Sequence, residues 1–427
     1  MRGKLSLVLL IAGLVAAGCA GSSVRPDSGI IRVPQNAKTI TEAVEAARDG
    51  DLVLVDPGVY KETVQIKTPN VTLRGTKRDG VVIDGEVRRA NGIVVTASGV
   101  SVENLTVRNH TLNGVLVTGL SDQNGGLARG SDGYHKLDPS AFPPLQGFRV
   151  SHVTASNNAL YGIYAFDSQH GVVEDSYASG SADSGIYIGQ CKPCDIAVQR
   201  NVAERNAVGY EGTNASGKMY VLGNRFSGNR VGLTSNSDYQ EAFVPQENAT
   251  IAGNLVTGNA EPASPAQADG AYGIGIGLAG GRGNLLTRNR ITGNSTTGLA
   301  IGSSEDLAPQ GNRIEGNVIT GNGVDFAYTA SARAPGVGNC FKDNQLGTKQ
   351  PDGLGECAAG PGVPIARTAA PPGVPFTEVA APPVQPELPE AATVPARPAR
   401  GLPGFVDLAT VSVPPENLFA DRAAVRS

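Results

Sequence analysis

The chain has 427 residues, 40% of them hydrophobic and only 17% charged, with a formal net charge of −4. That length supports one large core or two domains, and the charge supplies no basic face for a nucleic-acid partner. Glycine contributes 56 residues and tryptophan none. Beyond the first twenty residues no run is long and apolar enough to span a bilayer, and few stretches carry a helical period, so a helical bundle and a polytopic membrane protein are excluded.

In chain order, residues 1–19 read as an export signal: Arg2 and Lys4, the apolar run Leu5–Ala17, then Gly18-Cys19. The string Leu14-Val-Ala-Ala-Gly-Cys19 resembles the lipobox of bacterial lipoproteins, with Ala16 where that motif prefers Leu. The resemblance implies acylation of Cys19 and a lipid anchor at the cell envelope; the alternative is an ordinary secretory signal. A short linker, 20–29, follows. Thr39-Ile-Thr-Glu42 matches a capping box, and Ile40, Ala43, Val44 and Ala47 recur at helical spacing before Gly50. This predicts a short amphipathic helix plugging the open end of the element that comes next.

That element is a repeat. Asn-x4-Asn pairs stand at 104/109, 201/206, 224/229, 254/259, 289/294 and 317/322, with degenerate copies at His152/Asn157 and Asp175/Gly180. Each precedes a short β-prone string opening with glycine, such as Gly162-Ile-Tyr-Ala, Gly185-Ile-Tyr-Ile, Gly209-Tyr-Glu-Gly and Gly232-Leu-Thr-Ser. A fixed period without intervening helices predicts an all-β solenoid over 30–357, one coil per repeat. Coils stack about 4.8 Å apart, so equivalent asparagines pile into amide ladders at turns whose left-handed backbone Asn tolerates.

Strand alternation then orients the side chains. Ile163, Ile186, Tyr210 and Leu233 point inward; Tyr164, Tyr187, Glu211 and Thr234 form an outward ladder, with Asp167, Gln190 and Asn214 three residues further on. Two insertions, Gly119–Gly147 and the excursion from Asp238, wall this face into an axial cleft for an extended polysaccharide. Tyrosine rings would stack on sugars, and carboxylates and amides would bind hydroxyls. The expected binding residues are Tyr164, Asp167, Asp183, Tyr187, Gln190, Glu211, Asn214, Asp238 and Tyr239; the opposing reading is the solvated face of a structural solenoid. Tyr187, Glu211, Asp167 and His170 are the catalytic candidates. Asp167 and Glu211 lie two coils, about 9.6 Å, apart before their strand offset is added. A hydrolase therefore needs a loop acid such as Asp238 or Glu241 to fold over. No cofactor is expected, Ca²⁺ on Asp167, Asp183 and Glu211 being the one exception weighed. The histidines match no zinc spacing, so no metal site is assigned.

In an exported chain the remaining cysteines read as two local disulfides, Cys191–Cys194 and Cys340–Cys357; redox or metal handling by Cys191-Lys-Pro-Cys194 is the alternative. Residues 358–427 hold 14 of the 28 prolines. They are expected to form a disordered Pro/Ala-rich tail that contacts another envelope protein, with local docking of Leu402-Pro-Gly-Phe-Val406 as the other reading.

Residues 37–75, with Thr39-Ile-Thr-Glu-Ala-Val, Gly58-Val-Tyr-Lys-Glu and Asn70-Val-Thr-Leu-Arg-Gly75, resemble the opening of the right-handed parallel β-helix, or pectin-lyase-like, superfamily, and the asparagine coils extend the likeness. It implies the fold and leaves the activity open, because the superfamily holds lyases, hydrolases, esterases, epimerases and non-catalytic members. The Gly58–Glu62 string occurs in pectin methylesterases, without their later motifs here; the signature motifs of polygalacturonases, alginate epimerases and pectate lyases are missing. The expectation is an envelope-anchored monomer that binds an extended polysaccharide and, if catalytic, is a lyase or glycoside hydrolase. The alternative is a non-catalytic periplasmic scaffold resembling β-helix proteins of metal-centre maturation.

Overall fold

The computed structural model describes residues 24–128 and 138–425. The expectations placed on the export signal, on Cys19 and on His135 lie outside them. From Ile30–Val33 onward the chain winds as a parallel solenoid. Eleven strands, from Val64–Ile66 to Lys349–Gln350, stack as one sheet, called sheet B here. Most coils add two further short strands to a second sheet, sheet A, such as Ile196–Gln199 and Val202–Glu204 around the turn at Asn201. Strands of three to six residues suit this geometry, because each must turn before its apolar side chains leave the shared interior.

The helix Ile40–Ala46 caps the first coil, burying Ile40, Ala43 and Val44. Thr39 is its N-cap and accepts from the Glu42 amide at 3.1 Å. The Gly58–Glu62 string has a structural use here: the Glu62 carboxylate accepts from the amides of Ile40 and Thr41, and the Tyr60 hydroxyl donates to the Asp56 carbonyl at 2.7 Å. The free N–H groups of a helix start favour such a carboxylate. At the far end Cys357–Gly360 pairs antiparallel with Gly336–Lys342, stapled by Cys340–Cys357, and Cys191–Cys194 forms the second bridge. Both expected disulfides are present.

The amide ladders run through Asn201, Asn224, Asn254, Asn289, Asn317 and Asn344, and through Asn206, Asn229, Asn259, Asn294 and Asn322, each Nδ2 donating to the next Oδ1 at 2.8–3.1 Å. A third ladder, Gln246, Asn284, Asn312 and Asn339, stands at another corner. The early copies sit one residue out of register with the later ones. Asn104, His152 and Asp175 have φ of +51 to +55 themselves, whereas in later coils the residue before the ladder asparagine takes the left-handed turn, as in Arg200, Gly223, Gly253 and Arg288. The asparagine that follows is thereby freed to aim its amide inward. His152 takes the same left-handed turn as Asn104, its equivalent one coil earlier.

The expected disordered tail is corrected. Residues 361–425 have almost no regular secondary structure, yet they lie along the solenoid as a strap. Arg74 donates to the carbonyl of Pro395, Arg78 to Pro386, Arg225 to Leu418 and Val425, Arg230 to Pro371 and Pro372, and Arg290 to Pro414. Arg74, Arg78, Arg225 and Arg230 are among the largest fully buried side chains. A proline-rich chain offers acceptors and few donors, and arginine offers only donors. Proline also restricts the unfolded chain, so the ordering cost that argued for disorder is reduced.

Candidate functional site

On sheet B the register Tyr164, Tyr187, Glu211, Thr234, Gly277, Ala300, Ala327 aligns one residue per coil. Ile163, Ile186, Tyr210 and Leu233 point into the core and are buried. The outward column is not an open axial cleft. Val94, Leu116 and Tyr187 are only 3%, 5% and 3% exposed, and Ala327 at the other end is 0% exposed. Between them Glu211, Thr234, Gly277 and Ala300 keep partial exposure and form a window. The first insertion makes the near cover: Leu120 packs with Tyr161, Phe166 and Tyr187, and Phe142, Leu160 and Tyr164 pack against that cluster. Tyr164 meets Tyr187 edge-on with ring centroids 5.0 Å apart, an arrangement aromatic quadrupoles favour.

Beneath the window three carboxyls gather. The Ser184 hydroxyl lies 2.7 Å from Glu211 Oε2 and 3.1 Å from Asp183 Oδ1, and the Thr213 hydroxyl lies 3.1 Å from Glu211 Oε1. A hydroxyl has one hydrogen, so both Ser184 contacts are attractive only when one carboxyl carries a proton. Burial, reinforced by the Asp183 charge, pushes Glu211 up to about 7; burial likewise raises Asp183, which the Tyr161 hydroxyl partly opposes. Two carboxyls in one poorly hydrated site do not ionise together. The second excursion folds Glu241 over the sheet, where it accepts from the Tyr187 hydroxyl, and burial holds it well above the usual carboxylate range. Glu241 is one of the two loop acids that a hydrolytic reading calls on, the other being Asp238.

Several expected site residues have other work. Tyr187 is buried and presents no stacking face to solvent. Asp167, Gln190 and Asn214 are buried turn residues with φ of +52, +49 and +45. Gln190 accepts from the Ala242 amide, and Asn214 donates to the carbonyls of Asp238 and Glu241, so these two position the acid-bearing excursion. Asp167 packs below Gly119, where an added Cβ would sit 2.7 Å from its Oδ2, and burial pushes it up to about 7. It does not converge with Asp183 and Glu211; among the described residues no group of three or more His, Cys, Asp or Glu side chains is placed to hold a metal ion. His170 lies on sheet A, its Nδ1 2.8 Å from Asp195, in a separate cavity that it shares with Lys218 and the strap residues Leu402–Gly404. Tyr239 is exposed at the rim, its hydroxyl donating to Asp306 at 2.8 Å, and Asp238 is half-buried beside it. Sequence reasoning missed Tyr161 and Ser184, whose only signal is adjacency to the glycine-led strings, and it missed the strap's approach to sheet B.

Residues 91–243 match the family model described as right handed beta helix region, and residues 235–352 match the model described as periplasmic copper-binding protein (NosD). Among curated proteins no sequence matches. Similar solved structures include the A-modules of two mannuronan C-5 epimerases of Azotobacter vinelandii. For AlgE4 the identity is 16%, the TM-score 0.52 and the coverage 74% of this chain and 91% of that one. For AlgE6 the values are 17%, 0.51, 73% and 94%. At such identities the likeness establishes the fold alone.

Proposed function

We propose, for a chain that is a right-handed parallel β-helix of the pectin-lyase-like type, that the sheet-B window binds a polysaccharide and that the Asp183–Glu211 pair transfers a proton on it. The observation that carries this reading is the carboxyl of half-buried Glu211, raised to about 7 by burial beside a second acid across one hydroxyl. A general acid or base works best with its pKa near the operating pH. Glu241, held by Tyr187, supplies a further carboxyl from the covering loop, and half-buried Tyr164 supports the aromatic wall. Two carboxyls and a polar rim suit glycoside cleavage or lyase chemistry. The signal-like residues 1–19 and the match to a model named for a periplasmic protein support export to the periplasm, with Cys19 as the lipid anchor.

The match over 235–352 also favours a second reading, a non-catalytic periplasmic accessory protein serving metal-centre maturation. Turnover and binding on a panel of acidic and neutral polysaccharides separate the two. Wild type is expected to release new chain ends, and Glu211→Gln to bind the same glycan without releasing them. Full turnover by Glu211→Gln contradicts the assigned role. Absence of any glycan binding, together with copper binding by the wild type, supports the accessory reading.

A further inference from the structure

Both ends of the window are closed, and the two covers differ in kind. At the near end the first insertion lies on the sheet, with the Thr96 hydroxyl donating to the Gly125 carbonyl and Leu120 on the tyrosine cluster. At the far end the closure comes from the start of the strap. The amides of Gly362 and Val363 donate to the carbonyls of Ala330 and Tyr328 at 2.8 and 3.1 Å. Gln350 Nε2 donates to the Pro364 carbonyl at 2.8 Å, and on the opposite edge of the sheet the Thr368 amide donates to Thr296 Oγ1 at 3.1 Å. The strap therefore crosses sheet B from the end of the strand Val324–Thr329 to the start of Thr297–Gly302. It lies directly on the backbone: a Cβ added to Gly362 would sit 2.0 Å from the Tyr328 carbonyl oxygen. At Gly362 there is no room for a ligand chain between the strap and the sheet.

Against this bar stands a cavity of about 730 Å³ on the outer face of sheet B, lined among others by Asn236, Gly277, Ala300, Ser303, Thr329 and Arg367. Arg367 is the one charged residue in that lining, and it comes from the strap. Among the described residues it has neither an ion-pair nor a hydrogen-bond partner, and it is exposed. A planar guanidinium presents two parallel donors that fit a carboxylate. From Glu211 to Ala300 the column spans three coil intervals, about 14 Å, the length of a short oligosaccharide and far less than a polymer laid along the axis.

We infer that the window is a dead-ended pocket for the end of an acidic polysaccharide, in which Arg367 of the strap reads a terminal uronate carboxylate while the chain leaves sideways past Glu211. The inference rests on the proposed polysaccharide reading and adds to it the mode of binding, the charge of the ligand and a specificity residue outside the solenoid. The strap is thus one wall of the ligand site as well as a cover for sheet A.

Calorimetric titration with oligogalacturonates of increasing length, their carboxyl-reduced counterparts and long polygalacturonate tests it, using the wild type, Arg367→Ala and Glu211→Gln. Affinity is expected to level off at about three or four units, the length the column allows, with one protein bound per polymer end. Arg367→Ala is expected to weaken the acidic oligomers by about tenfold and to leave the reduced ones unchanged. Binding of many proteins along each polymer, kept in Glu211→Gln and indifferent to Arg367→Ala, overturns chain-end recognition and leaves the polysaccharide reading standing. If no acidic or neutral glycan binds the wild type, both fall.

Discussion

Replacing Asn254 by alanine removes one rung from the middle of an amide ladder, and the structure gives the cost. Its Nδ2 donates to the carbonyls of Val221 and Ala252 and to Asn289 Oδ1, at 2.9, 3.2 and 2.9 Å, and its Oδ1 accepts from the backbone amide and side chain of Asn224, both at 2.9 Å. The residue is fully buried, so water cannot replace these bonds. The two hydrogens of Nδ2 are shared among its three acceptors, so about four bonds are lost at about 1 kcal/mol net each, and the orphaned Asn224 amide adds about 1–3 kcal/mol, giving roughly 6 kcal/mol for Asn254→Ala. Urea denaturation followed by far-UV circular dichroism measures it. Asn248→Ala is the control: Asn248 also has a left-handed backbone, φ +55, but is exposed, so only about 1 kcal/mol of backbone strain is at stake. Because a solenoid need not unfold in one step, the loss is expected first in the coils on either side of the missing rung. Equal and small losses in the two variants would refute the argument that stacked buried amides, and not turn propensity, explain the recurring asparagines.

The buried Asp167 carboxyl, raised to about 7 from an ordinary value of 3.8, is protonated more readily in the folded than in the unfolded chain. Its contribution to stability is complete below about pH 3.8 and is lost as pH rises to about 7, by roughly 4 kcal/mol. Asp167→Asn should flatten that slope, so that the wild-type-minus-variant difference in unfolding free energy falls between pH 4 and pH 8; a constant difference contradicts the assignment. Arg78 donates to Thr154 Oγ1 and to the carbonyls of Val153, Asp175 and Pro386 at 2.8–3.1 Å. Arg78→Ala is expected to lose about 3 kcal/mol and to open the strap near Pro386 to limited proteolysis, whereas the wild-type strap resists.

The solenoid, its capping helix, both disulfides and the outward column were legible in the sequence because each depends on a local rule repeated once per coil. The period places Tyr187 and Glu211 in one column whatever surrounds them. Exposure is a different matter, since it depends on what lies above the column. Tyr187 reads as a stacking face from alternation alone, and only the path of Leu120 and Phe142 shows that it is covered. His170 is misplaced for a related reason: it follows the turn at Asp167 and belongs to the next face of the same coil. The strap was the largest departure. Its composition argued correctly against regular secondary structure, but its partners are arginines 120 to 321 residues earlier, and no local pattern announces a pairing between carbonyls and guanidiniums. Arg367 acquires significance only through that pairing.

The Asp183–Glu211 pair is the chemical centre of this account, and carboxyl-carbon NMR titration of Glu211 tests it most directly. An ionisation near 7 is expected in the wild type, falling toward the ordinary value in Asp183→Asn and shifting when an oligosaccharide occupies the window. A Glu211 that titrates as an ordinary exposed carboxyl, unmoved by Asp183→Asn or by ligand, would contradict the shared proton and the site built on it.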